Sequence, residues 1–202
     1  MKTNTKDYVV LLHGFWRTSK SMKKLEKVLS TDGYSVINLN YPSRKETIEN
    51  LSNNYLKRAL TEKCTDKNKK INFVTHSMGG IIVRYFLSKN KVKNLGRVIM
   101  LSPPNSGSKL ADFLAKSFIM NYIFGPALKQ LRTDKKSLPQ KISTPKYELG
   151  IIAGKYDEKV SVENTKLKNM KDFLLVPNMH TYIMDSDEVI SAVQSFIKKG
   201  KF

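Results

Sequence analysis

A single α/β domain over residues 1–202, built on about six mostly parallel strands with helices on both faces, is the fold class this sequence predicts. Three observations predict it. Short runs rich in Val and Ile alternate with amphipathic segments along the chain, the pattern of βα units. The strand-like runs are mostly apolar, as in a parallel sheet covered on both sides. The length of 202 residues and the hydrophobic content of 40% suit one core.

The elements follow in order. Residues 8–12 (YVVLL) read as the first strand. Residues 19–30 read as a helix, with Met22, Leu25, Val28 and Leu29 at helical spacing between lysines, ended by Gly33. Residues 34–39 form the second strand, closed by Pro42, and residues 46–62 the second helix. The third strand (71–75) runs directly into a third helix (79–89). The fourth strand (98–101) stops at Pro103-Pro104. Residues 105–145 then break the rhythm, being too long for an ordinary βα connection, with an apolar, aromatic-rich centre at 113–131. The fifth strand (147–153), the sixth (173–176) and a final helix (188–198) complete the chain.

Composition narrows the function classes. The 36 Lys and Arg against 17 Asp and Glu give a net charge of +19, a field that attracts anions in general. These cations are dispersed, and no zinc-finger spacing, RNA-binding motif or long basic helix accompanies them, so nucleic acid is not the expected partner. Contact with an anionic membrane is the functional use of the charge that remains open. The single cysteine, Cys64, excludes an internal disulfide and sits in a polar run that predicts a surface or half-buried thiol. The polar start of the chain and the lack of a run of about 20 apolar residues predict a cytoplasmic protein without signal peptide or membrane span. Three histidines and one cysteine offer no metal-ligand spacing, and no cofactor is expected.

The chemistry is carried by four short segments. Thr75-His76-Ser77-Met78-Gly79-Gly80 lies between a strand and a helix, where a tight, strained turn pushes a serine hydroxyl clear of the sheet. The helix behind it aims its positive end at the reacting centre. Thr75 stands where glycine is usual in Gly-x-Ser-x-Gly. His13-Gly14-Phe15 ends the first strand, and Gly14 lets this loop approach closely. The N–H groups of Phe15 and Met78 are the expected oxyanion donors. His76 adjoins Ser77, so its side chain should point away, and His13 belongs to the oxyanion loop. His180, after the last strand, is therefore the expected general base for Ser77. Asp157, just past the fifth strand, is the expected carboxylate on the second imidazole nitrogen, with Glu158 as fallback.

These residues resemble a known group. VVLLHGF (9–15), NFVTHSMGG (72–80), LSPPNSGS (101–108), FGPALKQL (124–131), GIIAGKYD (150–157) and His180 are similar to the bacterial lipase and esterase branch of the α/β hydrolases, near the small minimal lipases. The resemblance implies the α/β-hydrolase fold, a Ser77, Asp157, His180 triad and oxyanion donors at Phe15 and Met78. It also implies a lid-like insertion at about 105–145. Trp16, Phe118, Tyr122 and Phe124, with Phe15, are the candidates for the acyl-binding wall. The expected activity is hydrolysis of a carboxylic or lipid ester through an acyl-enzyme. An acyltransferase on the same triad and a catalytically silent protein that binds anionic membranes are the alternatives.

Overall fold

The structure is a computed structural model that describes residues 6–202, the side chains of Phe118, Met120 and Asn121 excepted. Its frame is one six-stranded, wholly parallel sheet. The strands are β1 (Lys6–Leu12), β2 (Tyr34–Leu39), β3 (Ile71–His76), β4 (Leu95–Leu101), β5 (Leu149–Gly154) and β6 (Asp172–Val176), in the order β2-β1-β3-β4-β5-β6. The order reverses beside β1, and in parallel sheets this switch point opens a crevice at the carboxyl ends of the strands.

The crossover helices cover both faces of the sheet. Helix α1 (Lys23–Thr31) follows a 3₁₀ turn at Ser19–Met22 and links β1 to β2. The next helical stretch links β2 to β3. It is α2 (Ile48–Asn50), π-helical at Leu51–Leu56, then α3 (Lys57–Lys63). Helix α4 (Met78–Lys89) leaves β3 at Ser77.

Strand side chains alternate between two cores. Val10, Leu12 and Phe73 pack with Ile48, Leu56 and Ile81 on one face. Val9, Leu11 and Val74 pack on the other with Leu25 and Leu29 of α1. That second core also takes Val189, Val193 and Phe196 of the C-terminal helix. Burial on both faces is why these strands read as unbroken apolar runs.

The long excursion between β4 and β5 holds α5 (Lys109–Leu114), α6 (Phe118–Gln130) and α7 (Leu138–Lys141). Helix α6 kinks at Gly125 (φ 72°), followed by Pro126. A side chain at Gly125 would fall on the carbonyl oxygen of Arg44, so this close approach requires glycine. Arg84 of α4 ties the excursion down at both ends. It is 3% exposed, and Nη1 donates to Asn105 O and Oδ1 at 3.2 and 3.0 Å while Nη2 donates to Pro139 O and Ile142 O at 3.3 Å. Burial lowers its pKa to about 10.

The short helix α8 (Val162–Thr165) between β5 and β6 has no counterpart in the sequence reading. The last helix is α9 (Asp187–Lys199). It starts with Asp187 and Glu188 and ends with Lys198 and Lys199 before the left-handed Gly200, charges that complement its dipole. Cys64 corrects an expectation: it is buried among apolar side chains, which push its thiol pKa up to about 11.

Candidate active site

Four loops meet at the carboxyl edge of the sheet, after β1, β3, β5 and β6. Ser77 occupies the turn from β3 into α4 at φ 51°, ψ −122°, a left-handed conformation that costs an L-residue of order 1–3 kcal/mol. The strain is held by neighbours. Ser77 N–H donates to Leu101 O at 2.8 Å, and Gly80 N–H closes the turn onto Ser77 O at 3.0 Å. Thr75 fits the elbow despite its branched side chain: it is fully buried, and Oγ1 donates to Ile99 O at 3.4 Å.

From Ser77 a chain of hydrogen bonds runs inward. Ser77 Oγ lies 3.0 Å from His180 Nε2, and His180 Nδ1 lies 2.7 Å from Asp157 Oδ2. The other carboxylate oxygen, Oδ1, accepts the N–H groups of Lys159 and Val160 at 2.9 and 2.8 Å. Burial alone would raise the Asp157 pKa. The His180 hydrogen bond and charge outweigh it, helped by the Val160 N–H, and the net shift is downward. An ionised Asp157 fixes the proton on Nδ1 and leaves the Nε2 lone pair facing the hydroxyl.

The other two histidines hold backbone. His76 points away from Ser77, and its Nε2–H donates to the carbonyl of His180 at 3.0 Å, so its neighbouring Nδ1 is unprotonated, buried and without a partner. His13 stacks on Tyr41 at 3.9 Å. Its Nδ1–H donates to Gly14 O at 2.9 Å, and Tyr41 OH in turn donates to His13 O. Desolvation holds the His13 pKa at about 4 and drives that of His76 well below 6.5. Gly14 is pressed against this group: a Cβ there would lie 2.7 Å from His76 Nδ1 and 3.2 Å from Ser77 Cβ. Met78 is the first residue of α4, so its N–H has no intrahelical acceptor. Phe15 lines the same cavity as Ser77, while the next N–H, of Trp16, is bound by Ser43 Oγ at 3.1 Å.

That cavity has a volume of about 220 Å³ and a largely apolar lining. Ser77, His76 and His180 form its floor. Of the residues expected as a wall, Phe15, Trp16 and Phe124 line it and pack on one another, with Trp16 and Phe124 centroids 4.9 Å apart. Tyr122 is not part of it. Its position on the outer side of α6 leaves it 87% exposed, so the expectation for this residue is corrected. The side chain of Phe118 lies outside the described residues. The excursion instead contributes Leu110, Leu114, Leu128 and Leu131, none singled out from sequence. Leu128 in the last turn of α6 and Leu131 just past it are three apart, a helical spacing that could have found them. Arg17 and Lys159 at the rim were also missed.

Residues 2–147, which carry Phe15, Ser77 and Met78, match the family described as "Putative serine esterase (DUF676)". The chain belongs to this family. Asp157 and His180 lie beyond the matched segment, so their place in the site rests on the distances above. Among curated proteins, triacylglycerol lipase 2 of Saccharomyces cerevisiae is 29% identical over 120 residues, 57% of this chain and 35% of that protein. Similar solved structures include phospholipase PlaB from Legionella pneumophila (TM-score 0.78, 15% identity, 97% of this chain and 61% of that one). The mature Bacillus licheniformis lipase BlEst2 is another (0.69, 18%, 98% and 94%), as is the Pyrococcus furiosus esterase Pf2001 (0.73, 20%, 98% and 84%). At these identities the structures establish the α/β-hydrolase fold. This member of the esterase family spans about a third of the yeast lipase and three fifths of the Legionella phospholipase.

Proposed function

We propose that the protein hydrolyses carboxylic esters through an acyl-enzyme on Ser77. The observation that carries this reading is the chain Ser77 Oγ, His180 Nε2, His180 Nδ1, Asp157 Oδ2, with links of 3.0 and 2.7 Å, opening into a largely apolar cavity. His180 takes the hydroxyl proton as Ser77 attacks the carbonyl carbon. The N–H groups of Phe15 and Met78 stabilise the oxyanion. The alcohol leaves with the proton from His180, and water repeats the sequence to release the acid. Asp157 keeps the imidazole in the working tautomer and stabilises the imidazolium.

The leucine-lined end of the cavity suits a medium or long acyl chain. Phe113, Ile119 and Tyr122 on the outer side of the excursion are 71%, 68% and 87% exposed. With the net charge of +19, this apolar rim supports peripheral contact with an anionic lipid surface that presents the substrate. Among the described residues no helix is long and apolar enough to cross a membrane.

A fluorophosphonate probe tests the chemistry. Its adduct should sit on Ser77, vanish in Ser77→Ala and fall sharply in His180→Ala. A folded protein that resists the probe would overturn the reading. An ester series of increasing chain length tests the acyl pocket, and a sharp preference for acetate would remove the lipase half of it. Added alcohol distinguishes water from another acceptor by diverting product into a new ester.

A further inference from the structure

Trp16 stands between two depressions. On one side is the Ser77 cavity. On the other is an open cleft lined by Arg17, Arg44 and Lys45 together with Thr18, Asn40 and Tyr55. Trp16 and Arg17 line both, so the cleft adjoins the Ser77 cavity. No carboxylate lines the cleft, and among the described residues Arg17, Arg44 and Lys45 take part in no ion pair. The nearest acid in sequence, Glu46, accepts Asn50 Nδ2 at 2.9 Å. Three uncompensated cations in one concavity focus a positive potential there beyond the diffuse field of the surface lysines.

The cleft is built on fixed backbone. Trp16 is held at φ 54° with its N–H on Ser43 Oγ, and Gly125 of α6 rests on the Arg44 carbonyl. The Arg44 guanidinium lies over the Trp16 ring at 4.5 Å, which orients it while leaving its N–H edge to bind an acceptor. Leu110, Leu114, Leu128 and Leu131 line the Ser77 cavity; of the three cleft cations Arg17 also lines it, while Arg44 and Lys45 belong to the adjoining cleft. An ester bound across Ser77 has two halves. The leucine side chains suit the acyl half, since a charge packed against them would be desolvated. The alcohol half is left to the Trp16–Arg17 rim.

Building on the esterase reading, we propose that the cleft is a subsite for an anionic oxyacid group, phosphate in the first instance, carried on the alcohol half of the ester. The substrate class is then an acylated phospho-alcohol rather than a neutral glyceride. Guanidinium groups pair with phosphate oxygens through charge-assisted hydrogen bonds.

The test uses a soluble pair matched in the acyl half, 1-butyryl-glycerol and 1-butyryl-glycerol 3-phosphate, with fluorophosphonate labelling of Ser77 in the same preparation. The phosphate ester should be favoured in kcat/KM by about tenfold or more, the effect of one charge-assisted contact. Arg44→Gln with Lys45→Gln should collapse that ratio toward one, and Arg44→Lys with Lys45 intact should keep most of it. Lys91→Gln with Lys93→Gln, on the loop before β4, should leave the ratio and both activities unchanged. Inorganic phosphate should compete with the phosphate ester more strongly than with the neutral one. A labelled Ser77 with equal turnover of the two esters overturns the subsite alone. The subsite also falls if the preference survives the Arg44 and Lys45 changes, or appears only with acyl chains long enough to form micelles; the charged surface then explains it. No label and no turnover of either ester overturns the esterase reading instead.

Discussion

Acidification from pH 8 to pH 5 should cost this protein several kcal/mol of stability, well before its carboxylates titrate. The cause is a pair of histidines buried as neutral bases. His13 titrates at about 4 in the fold against 6.5 as an ordinary imidazole. Between these values the unfolded chain binds a proton that the folded chain refuses, so stability rises with pH through that window and is lost as pH falls. Linkage gives a loss of about 2 kcal/mol at pH 5 and about 3 kcal/mol at pH 4 from His13 alone. His76 is shifted in the same direction, because its free Nδ1 is buried against Gly14 and its ring lies 4.9 Å from that of His180. Its loss adds to that of His13. Urea unfolding followed by circular dichroism at intervals between pH 8 and pH 5 measures the sum. The slope between pH 6 and pH 5 should exceed the roughly 1.4 kcal/mol per pH unit that one proton allows. In His13→Gln it should fall by about one proton's worth. Stability that stays flat down to pH 5 would refute the reasoning, since it would mean that the two imidazoles charge freely in the fold.

Three further outcomes follow from the same geometry. Asp157→Asn should lower kcat by on the order of a thousandfold or more, with far-ultraviolet dichroism unchanged, because the amide inverts the preferred His180 tautomer; a loss under tenfold would contradict that role. Gly14→Ala places a methyl 2.7 Å from His76 Nδ1, a ring pinned by His180 O, so the loop carrying Phe15 must move. The expected loss is roughly a hundredfold in kcat, the effect of one oxyanion donor, with KM changing less. Gly125→Ala drives a methyl into the Arg44 carbonyl and should detach the α6 kink. Limited proteolysis within residues 105–145 should accelerate while the melting temperature shifts by only a few degrees, and unchanged cleavage rates would show that the kink is not what seats the excursion.

The sheet was legible in the sequence because its signal is local. A strand covered on both faces is apolar at every position, and β1, β2, β3 and β6 fall within a residue or two of the expected ranges. Ser77, Asp157 and His180 were legible for a related reason: each follows a strand, and parallel topology delivers the residues after β3, β5 and β6 to one edge. The histidines were separable because only three exist and two have neighbours that commit them to backbone. Boundaries that depend on pairing were less visible. β4 begins at Leu95, three residues before its apolar run, because Gly96 and Arg97 lie alongside β3, where Asn72 Oδ1 accepts the Arg97 N–H at 2.8 Å.

The surroundings of the site were poorly legible because long-range packing chooses them. An aromatic-rich stretch in residues 113–131 suggested an aromatic wall, yet of its described aromatic side chains Phe124 alone lines the cavity, while Phe113 and Tyr122 are exposed. Tyr122, ahead of the kink, faces out. Leu128 and Leu131, behind it, line the cavity with Leu110 and Leu114 of α5. Inward and outward apolar side chains count alike in composition, so composition does not reveal which of them line the cavity. The basic residues pose the same problem with opposite consequence. Arg17, Arg44 and Lys45 are three of 36 cations in the sequence. What separates them is a shared cleft that adjoins the Ser77 cavity at Trp16 and Arg17, with the Arg44 guanidinium over the Trp16 ring. A net charge of +19 gives every anion some attraction to this protein, whereas three cations in one cleft adjoining the Ser77 cavity give one anion a position. Only a position can discriminate between two esters with the same acyl chain. The kcat/KM ratio for such a pair is therefore the quantity that divides a charged surface from a charged site.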